Sequence, residues 1–238
     1  MTQALFREDA YLRDAPGVVR AHTPEGGIIL DRTVFYPRGG GQPGDSGRLD
    51  WQGGSIGIAT AVKGERDAVI LVPAEPLPLP APGTMVTQRL DWDRRHRHMR
   101  VHTALHLLSV VVPLPVTGGN ISAGHGRLDF ASSELPDSRE ALEALLNGFV
   151  EQDLAVSADW VEEAVLDANP ALVKTMTVQP PRGQGAVRLV RIGSGEEQID
   201  LQPCGGTHVA RTGEIGRIRI GKVENKGRQN RRVNIQLD

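Results

Sequence analysis

Asp91-Trp92-Asp93-Arg94-Arg95-His96-Arg97-His98-Met99-Arg100-Val101-His102-Thr103-Ala104-Leu105-His106-Leu107-Leu108-Ser109-Val110-Val111-Val112-Pro113 is the stretch at which the chain changes character. What precedes it reads as strands and turns, and this is the first segment with helical periodicity. Asp91 is an acceptable N-cap and Pro113 a stop, so a helix is predicted from near Asp91 to about Val112. Val101, Leu105, Leu108 and Val112 recur at the helical spacing and form its apolar stripe. His102 and His106 sit beside that stripe, at the edge of a core rather than in open solvent. At i and i+4 they lie one above the other on one face, where they can grip a single ion.

Upstream, residues 1 to about 90 are β-rich. Gly17–His22, Gly27–Leu30, Ser55–Thr60 and Ala68–Val72 are short β-branched runs between Gly, Pro and Asp turns, the pattern of a small barrel or sandwich. Prolines 73, 76, 78, 80 and 82 break regular structure as a linker or extended edge, and Met85–Leu90 is one further strand. Downstream, Asp137 and Glu140 form a capping box for a second helix, with Leu142, Leu145, Leu146, Phe149 and Val150 as its buried face. From about residue 186 strands return: Ala186–Val190, Glu214–Gly221 and Arg232–Leu237. Runs of strands with helices inserted indicate an α+β fold rather than a doubly wound sheet. The division expected is a β-rich domain over residues 1–90 and an α+β domain over 91–238.

Cys204-Gly205-Gly206-Thr207-His208 is a second pair of ligand types with the same spacing, and it holds the chain's one cysteine. Pro203 and two adjacent glycines make it a tight turn rather than a helix interior. Three imidazoles and a thiol are the donor set that zinc prefers. A lone H-x-x-x-H is as readily a chance pair on a half-buried helix, but a second matched pair makes chance a poor account. A structural zinc closes its shell with four protein ligands, whereas a catalytic one keeps a position for water. A His-rich set joining distant segments leans towards catalysis, with one zinc expected per chain.

The bulk properties exclude several classes. A single cysteine forbids an internal disulfide, so nothing argues for an oxidising compartment. The first nine residues carry neither a basic start nor an apolar run, and Leu107–Val116 is far too short to span a bilayer. A cytoplasmic protein with no membrane partner is expected. The net charge of −2 argues against a globally basic nucleic-acid binder. Local basic clusters nonetheless occur. Arg94, Arg95, Arg97 and Arg100 open the metal-bearing helix, and Arg211, Arg217, Arg219, Lys222, Lys226, Arg228, Arg231 and Arg232 crowd the C-terminal segment. They suit a phosphate backbone, although a charge run is often only a solvated surface. Interleaved aromatics for base stacking are missing from them, so contact is expected with backbone or shape. The loop Phe35-Tyr36-Pro37-Arg38-Gly39-Gly40-Gly41-Gln42-Pro43-Gly44-Asp45-Ser46-Gly47 reads either as a plain hairpin or as a loop brought close to a ligand. It lacks the lysine and hydroxyl of a phosphate loop.

Together the H-x-x-x-H and C-x-x-x-H pairs, the F-Y-P-x-G-G-G-Q-P-x-D-x-G loop and the Glu214–Arg232 tail resemble the alanyl-tRNA editing proteins. These are free-standing relatives of the editing domain of alanyl-tRNA synthetase. The resemblance runs over nearly the whole chain. It implies a β-barrel joined to an α+β editing domain like that of threonyl-tRNA synthetases. It also implies a metal-dependent hydrolase of mischarged tRNA(Ala), chiefly the seryl form and secondarily the glycyl form. His102, His106, Cys204 and His208 are then the zinc ligands. Gln42 and Ser46 are candidates for reading the serine hydroxyl, with Asp45, Gly40 and Gly41 beside the substrate. Arg94, Arg95, Lys222, Lys226, Arg228 and Arg232 are candidate tRNA contacts. The ion would activate a water or polarise the ester carbonyl, and no carboxylate stands out as general base. The rival readings are a deacylase for another aminoacyl-tRNA and a non-catalytic zinc module that only binds RNA or a synthetase.

Overall fold

The computed structural model describes residues 2–176 and 185–238. The chain forms two compact units, Met1–Arg97 and His98–Asp238, so the division falls inside the long helix rather than at residue 90.

The first unit contains β1 (Gln3–Ala4), α1 (Leu5–Glu8), β2 (Asp14–His22), β3 (Ile28–Leu30), β4 (Arg32–Thr33), β5 (Gly47–Trp51), β6 (Gly54–Lys63), β7 (Val69–Pro73) and β8 (Met85–Leu90). Six of the strands close a barrel in the order β2-β3-β7-β6-β5-β8, antiparallel at every seam. Closure leaves the barrel strands no free edge. Alternating side chains fill the interior: Val19, Ile28, Leu30, Leu49, Ile56, Leu71 and Val86 are all buried. Each strand expected from the β-branched runs is present, and β5 is an addition that follows directly on the glycine loop.

In that loop Gly39 and Gln42 exchange backbone hydrogen bonds of 3.1 and 2.9 Å. Gly40 and Gly41 between them have φ of 56° and 82°. Positive φ at both central residues is the requirement of a type I′ hairpin turn, so two of the three consecutive glycines are explained by the turn itself. Asp45, expected beside a substrate, instead anchors the loop internally. Its carboxylate accepts from Tyr36 N at 2.6 Å and from Arg95 Nε at 3.0 Å to each oxygen, with Arg95 Nη2 forming a further short contact. Arg95 also donates to the carbonyls of Val34 (2.6 Å) and Ala10 (2.8 Å) and has 0% exposure. The expected phosphate contact at Arg95 is therefore corrected: the guanidinium is an interior strut.

The helix α2 (Trp92–Val111) starts where the sequence predicts, with Asp91 Oδ1 accepting from Arg94 N at 3.2 Å as its cap. Beyond it lie β9 (Val116–Ser122), β10 (His125–Phe130), α3 (Arg139–Glu151), β11 (Val156–Glu162), α4 (Glu163–Ala168), β12 (Ala186–Ile192), β13 (Asp200–Pro203), β14 (Ile218–Asn225) and β15 (Arg231–Leu237). They form two antiparallel sheets, β14-β15-β10-β9 and β11-β12-β13. From Val101 to Ser109 every residue of α2 is buried, so the helix is interior on all sides and not only along the predicted stripe. Gly126 of β10 permits close packing against it, because a Cβ there would stand 2.6 Å from Val101 Cγ1.

Three local expectations are corrected. The cap of α3 is Ser138, whose hydroxyl accepts from Ala141 N at 3.2 Å, and not Asp137. Leu145 is 48% exposed, leaving Leu142 and Leu146 as the fully buried residues of that helix. Glu214 belongs to a single helical turn, Thr212–Ile215, and the strand begins only at Ile218. Among the described residues no helix is long and apolar enough to cross a membrane.

Replacing Arg95 by Ala strands a buried carboxylate without its counter-charge, which costs about 3–5 kcal/mol. Urea unfolding of the variant should show a loss of that order. A loss below about 1 kcal/mol would mean that water reaches Asp45 and the pair is not a strut.

Candidate metal centre

Four side chains converge in the second unit. His102 and His106 come from adjacent turns of α2, and Cys204 and His208 from the turn after β13. One ligand atom from each lies within 4.8 Å of all the others. Cys204 Sγ is 3.4 Å from His102 Nε2 and 3.3 Å from His208 Nε2. Sulfur and nitrogen on one tetrahedral zinc are about 3.6 Å apart, from ordinary Zn–S and Zn–N lengths. The donor set and its spacing therefore fit one zinc ion.

The outer nitrogens show how the imidazoles are held. Thr103 Oγ1 donates to Met99 O (3.0 Å) and accepts from Val209 N (3.2 Å). A hydroxyl has one proton, so its 3.2 Å contact with His208 Nδ1 must be accepted from an Nδ1–H. That fixes the tautomer and leaves the Nε2 lone pair facing the ion. His106 Nδ1 lies 2.9 Å from Asp200 Oδ2 and donates to it, with the same consequence at its Nε2. Asp200 was not anticipated from the sequence. Its Oδ1 accepts from Lys174 Nζ at 2.6 Å, and its Oδ2 also accepts from Gln202 Nε2 at 2.8 Å. Gln202 in turn donates to Ser109 Oγ at 3.2 Å. The carboxylate is fully engaged and positions His106 rather than serving as a free base.

The charges are mutually dependent. Burial drives His106 down, but its hydrogen bond to Asp200 and the nearby Cys204 raise it to about 9. Burial pushes Asp200 up, and His106 and Lys174 more than offset this, holding it at about 2. Burial would also raise Cys204, yet the charges of His102 and His208 bring its thiol well below the usual range. His208 is driven well below the usual imidazole range by burial and by its neighbours His102 and His106. A neutral imidazole and a thiolate are the ligating forms, and the field that retains a proton on His106 equally favours a cation in its place.

The turn itself is pinned. Cys204 N donates to Arg188 O at 3.1 Å, and Arg188 Nη1 donates to the carbonyls of Cys204 (2.9 Å) and Gly206 (3.1 Å). The remaining expected site residues have their own surroundings. Gln42 is buried in the first unit, Gly40 and Gly41 are exposed at the hairpin tip, and Ser46 Oγ donates to Asp91 Oδ2 at 3.3 Å. Arg94 is half-buried at the start of α2. In the C-terminal hairpin Lys222 and Lys226 flank Glu224 at 3.1 and 3.5 Å, and Arg228 is exposed. Arg232 forks onto Asp129 at 2.7 and 2.9 Å.

Comparison with known proteins places this chain in a family. Residues 187–234 match the family model described as the threonyl and alanyl tRNA synthetase second additional domain, and residues 15–94 match that of class II (A) tRNA synthetases. The chain is 33% identical over 248 residues to "Alanyl-tRNA editing protein AlaX-M" of Methanosarcina acetivorans, covering 100% of this chain and 99% of the relative. The chain belongs to the alanyl-tRNA editing protein family. A second member, from Methanosarcina mazei, is 33% identical over 250 residues, covering 100% of this chain and 97% of the relative. "Alanine--tRNA ligase" of Pyrobaculum neutrophilum is 35% identical over 232 residues, which cover 94% of this chain but 25% of the ligase. Editing proteins of this kind thus correspond to one segment of a much longer ligase.

Because Asp200 orients His106, Asp200→Ala should weaken zinc binding about 10–100-fold. Competition against a chromogenic chelator measures it. Unchanged affinity would show that His106 is held without the carboxylate.

Proposed function

We propose that this chain hydrolyses the ester of mischarged tRNA(Ala), chiefly the seryl form with the glycyl form as a second substrate, and that it does so with zinc. The observation that carries this reading is the set of buried His102, His106 and His208 with half-buried Cys204, with two outer nitrogens fixed by Asp200 and Thr103. It stands in a chain that aligns end to end with proteins named for alanyl-tRNA editing. Zinc bound by these four residues supplies a Lewis acid at the ester. The chain's residues do the rest: α2 and the Cys204 turn bring the donors together, and Asp200 and Thr103 hold two of the rings in the ligating tautomer.

The need for such an enzyme follows from size. A synthetase pocket for alanine cannot exclude serine strongly, so correction must come afterwards. The corrector can do the opposite, by hydrogen-bonding the serine hydroxyl and leaving its own polar groups unpaired when alanine enters. Gln42 and Ser46 of the glycine motif are the candidates for that contact. Lys222, Lys226 and Arg228 are the candidates for phosphate contact, as exposed cations of the β14–β15 hairpin.

One observation favours a second reading. Four protein donors within 4.8 Å can close the shell of a structural zinc, which would make the chain a non-catalytic RNA-binding module. Deacylation of seryl-, glycyl- and alanyl-tRNA(Ala), with and without chelator, decides between them and also detects a deacylase for another aminoacyl-tRNA. Chelator-sensitive loss of the seryl ester supports hydrolysis. Binding without turnover supports the module.

Cys204→Ala should abolish seryl-tRNA hydrolysis, with one zinc per chain in the wild type and a folded first unit in the variant. Near-normal turnover would remove Cys204 from the chemistry. Ser46→Ala should cost about 1–3 kcal/mol in kcat/KM for the seryl substrate while leaving the alanyl ester little changed. Equal falls on both would assign position 46 to loop structure. Charge reversal at Lys222, Lys226 and Arg228 should weaken tRNA binding and flatten its salt dependence, because fewer counterions are released. An unaltered slope would make this hairpin plain solvated surface.

A further inference from the structure

The sheet β11-β12-β13 has two unlike faces. Val161, Val187, Leu189 and Leu201 point to one, where they pack with Leu166 and Leu172. Side chains alternate along a strand, so the residues between them point to the other. On that second face stand Asp200 and Gln202 of β13, Val190 and Arg188 of β12, and Ala158 and Trp160 of β11. This is the face of the metal centre, since Asp200 and Gln202 meet α2 there.

Register places one residue more closely. Trp160 is opposite Arg188. The pairing of Leu189 with Pro203, carried one step further, sets Arg188 opposite Cys204, and the 3.1 Å bond from Cys204 N to Arg188 O joins those two residues. Trp160, Arg188 and Cys204 thus form one row across the sheet, on one face. Two strand spacings put the backbones of Trp160 and Cys204 about 10 Å apart. Trp160 is nevertheless 53% exposed, on a strand that forms the edge of its sheet. Most large apolar side chains of this unit, such as Phe130, Leu142 and Ile235, are buried. The proposed reaction uses no group of Trp160.

We propose that Trp160 is the stacking platform for the 3′-terminal base of the RNA whose ester lies at the metal centre. This rests on the hydrolase reading above. The ester and that base belong to the same nucleotide, so a platform for the base must stand within one nucleotide's length of the ligands and on their side of the sheet. Trp160 meets both conditions. An indole face accepts a stacked base without hydrogen-bond readout. Arg188 stands between platform and ligand in that row, and its guanidinium donates to the carbonyls of Cys204 and Gly206, which fixes the turn beside the platform.

The test uses the zinc-loaded full chain and an uncharged acceptor-stem RNA hairpin, with and without its 3′-terminal nucleotide. Trp160→Ala should weaken binding of the complete hairpin about tenfold or more, and Trp160→Phe should restore most of it. Removing the terminal nucleotide should weaken the wild type by a similar factor and leave Trp160→Ala almost unaffected. The proposal is overturned if the deletion weakens Trp160→Ala as much as the wild type, or if the wild type does not sense the nucleotide. On seryl-tRNA, Trp160→Ala should raise KM more than it lowers kcat, and its zinc content and hydrolysis of a serine methyl ester should match the wild type. Wild-type protein that hydrolyses no seryl-tRNA overturns the function itself, whereas active wild type with an unchanged KM in Trp160→Ala overturns only the platform.

Discussion

Three imidazoles and a thiol cannot share a buried volume unless the proton on each is controlled, and the second unit is organised around that constraint. The controls are outside the ligand set. Thr103 uses its single proton on Met99 O and so compels His208 to present Nε2. Asp200 does the same for His106, and it can remain ionised while buried only because Lys174 and Gln202 also bond it. Thr103 lies on α2 between the two ligand histidines, and Asp200 and Gln202 precede Cys204 at intervals of two on β13. Ligands and their orienting groups are therefore delivered by the same two elements, and a shift in either would disturb both together.

The parts legible in the sequence are those whose signals are local. The α2 helix carries its own cap, stripe and stop, and its histidines need only helical spacing to meet. The barrel strands are β-branched runs separated by turns. What the sequence concealed depends on partners far along the chain. β9 contains Gly118 and Gly119, poor strand formers, and is held by pairing with β10. β11 alternates weakly and is a strand because β12 pairs with it throughout. Asp200 gave no signal because the four-residue β13 is too short to show a period. The alternation of Asp200, Gln202 and Cys204 was a usable signal, given only that Cys204 is a ligand.

Basic residues were the least legible, because the sequence does not say which charges are used internally. Arg95 is consumed by Asp45 and the carbonyls of Val34 and Ala10. Arg100 bonds the carbonyls of Ile215 and Asp238, and Arg232 is forked onto Asp129. Planar guanidinium groups suit such multidentate holds. The exposed Lys222 and Lys226, by contrast, meet only a shared Glu224 among the ion pairs of the described residues. Count of positive charge is thus a poor guide to how much of it is left to face solvent.

The same distinction bears on the metal centre. A thiolate lowers the positive charge of a divalent ion, and a carboxylate as near as Asp200 would lower it again if left alone. Lys174 prevents this by pairing with Asp200 Oδ1, so the acid can orient His106 without contributing a net negative charge to its surroundings. Arg188 fixes the Cys204 turn through two backbone carbonyls. Orientation of the ligands and a positive local field make opposing demands on a carboxylate. Supplying that carboxylate together with its own lysine reconciles them.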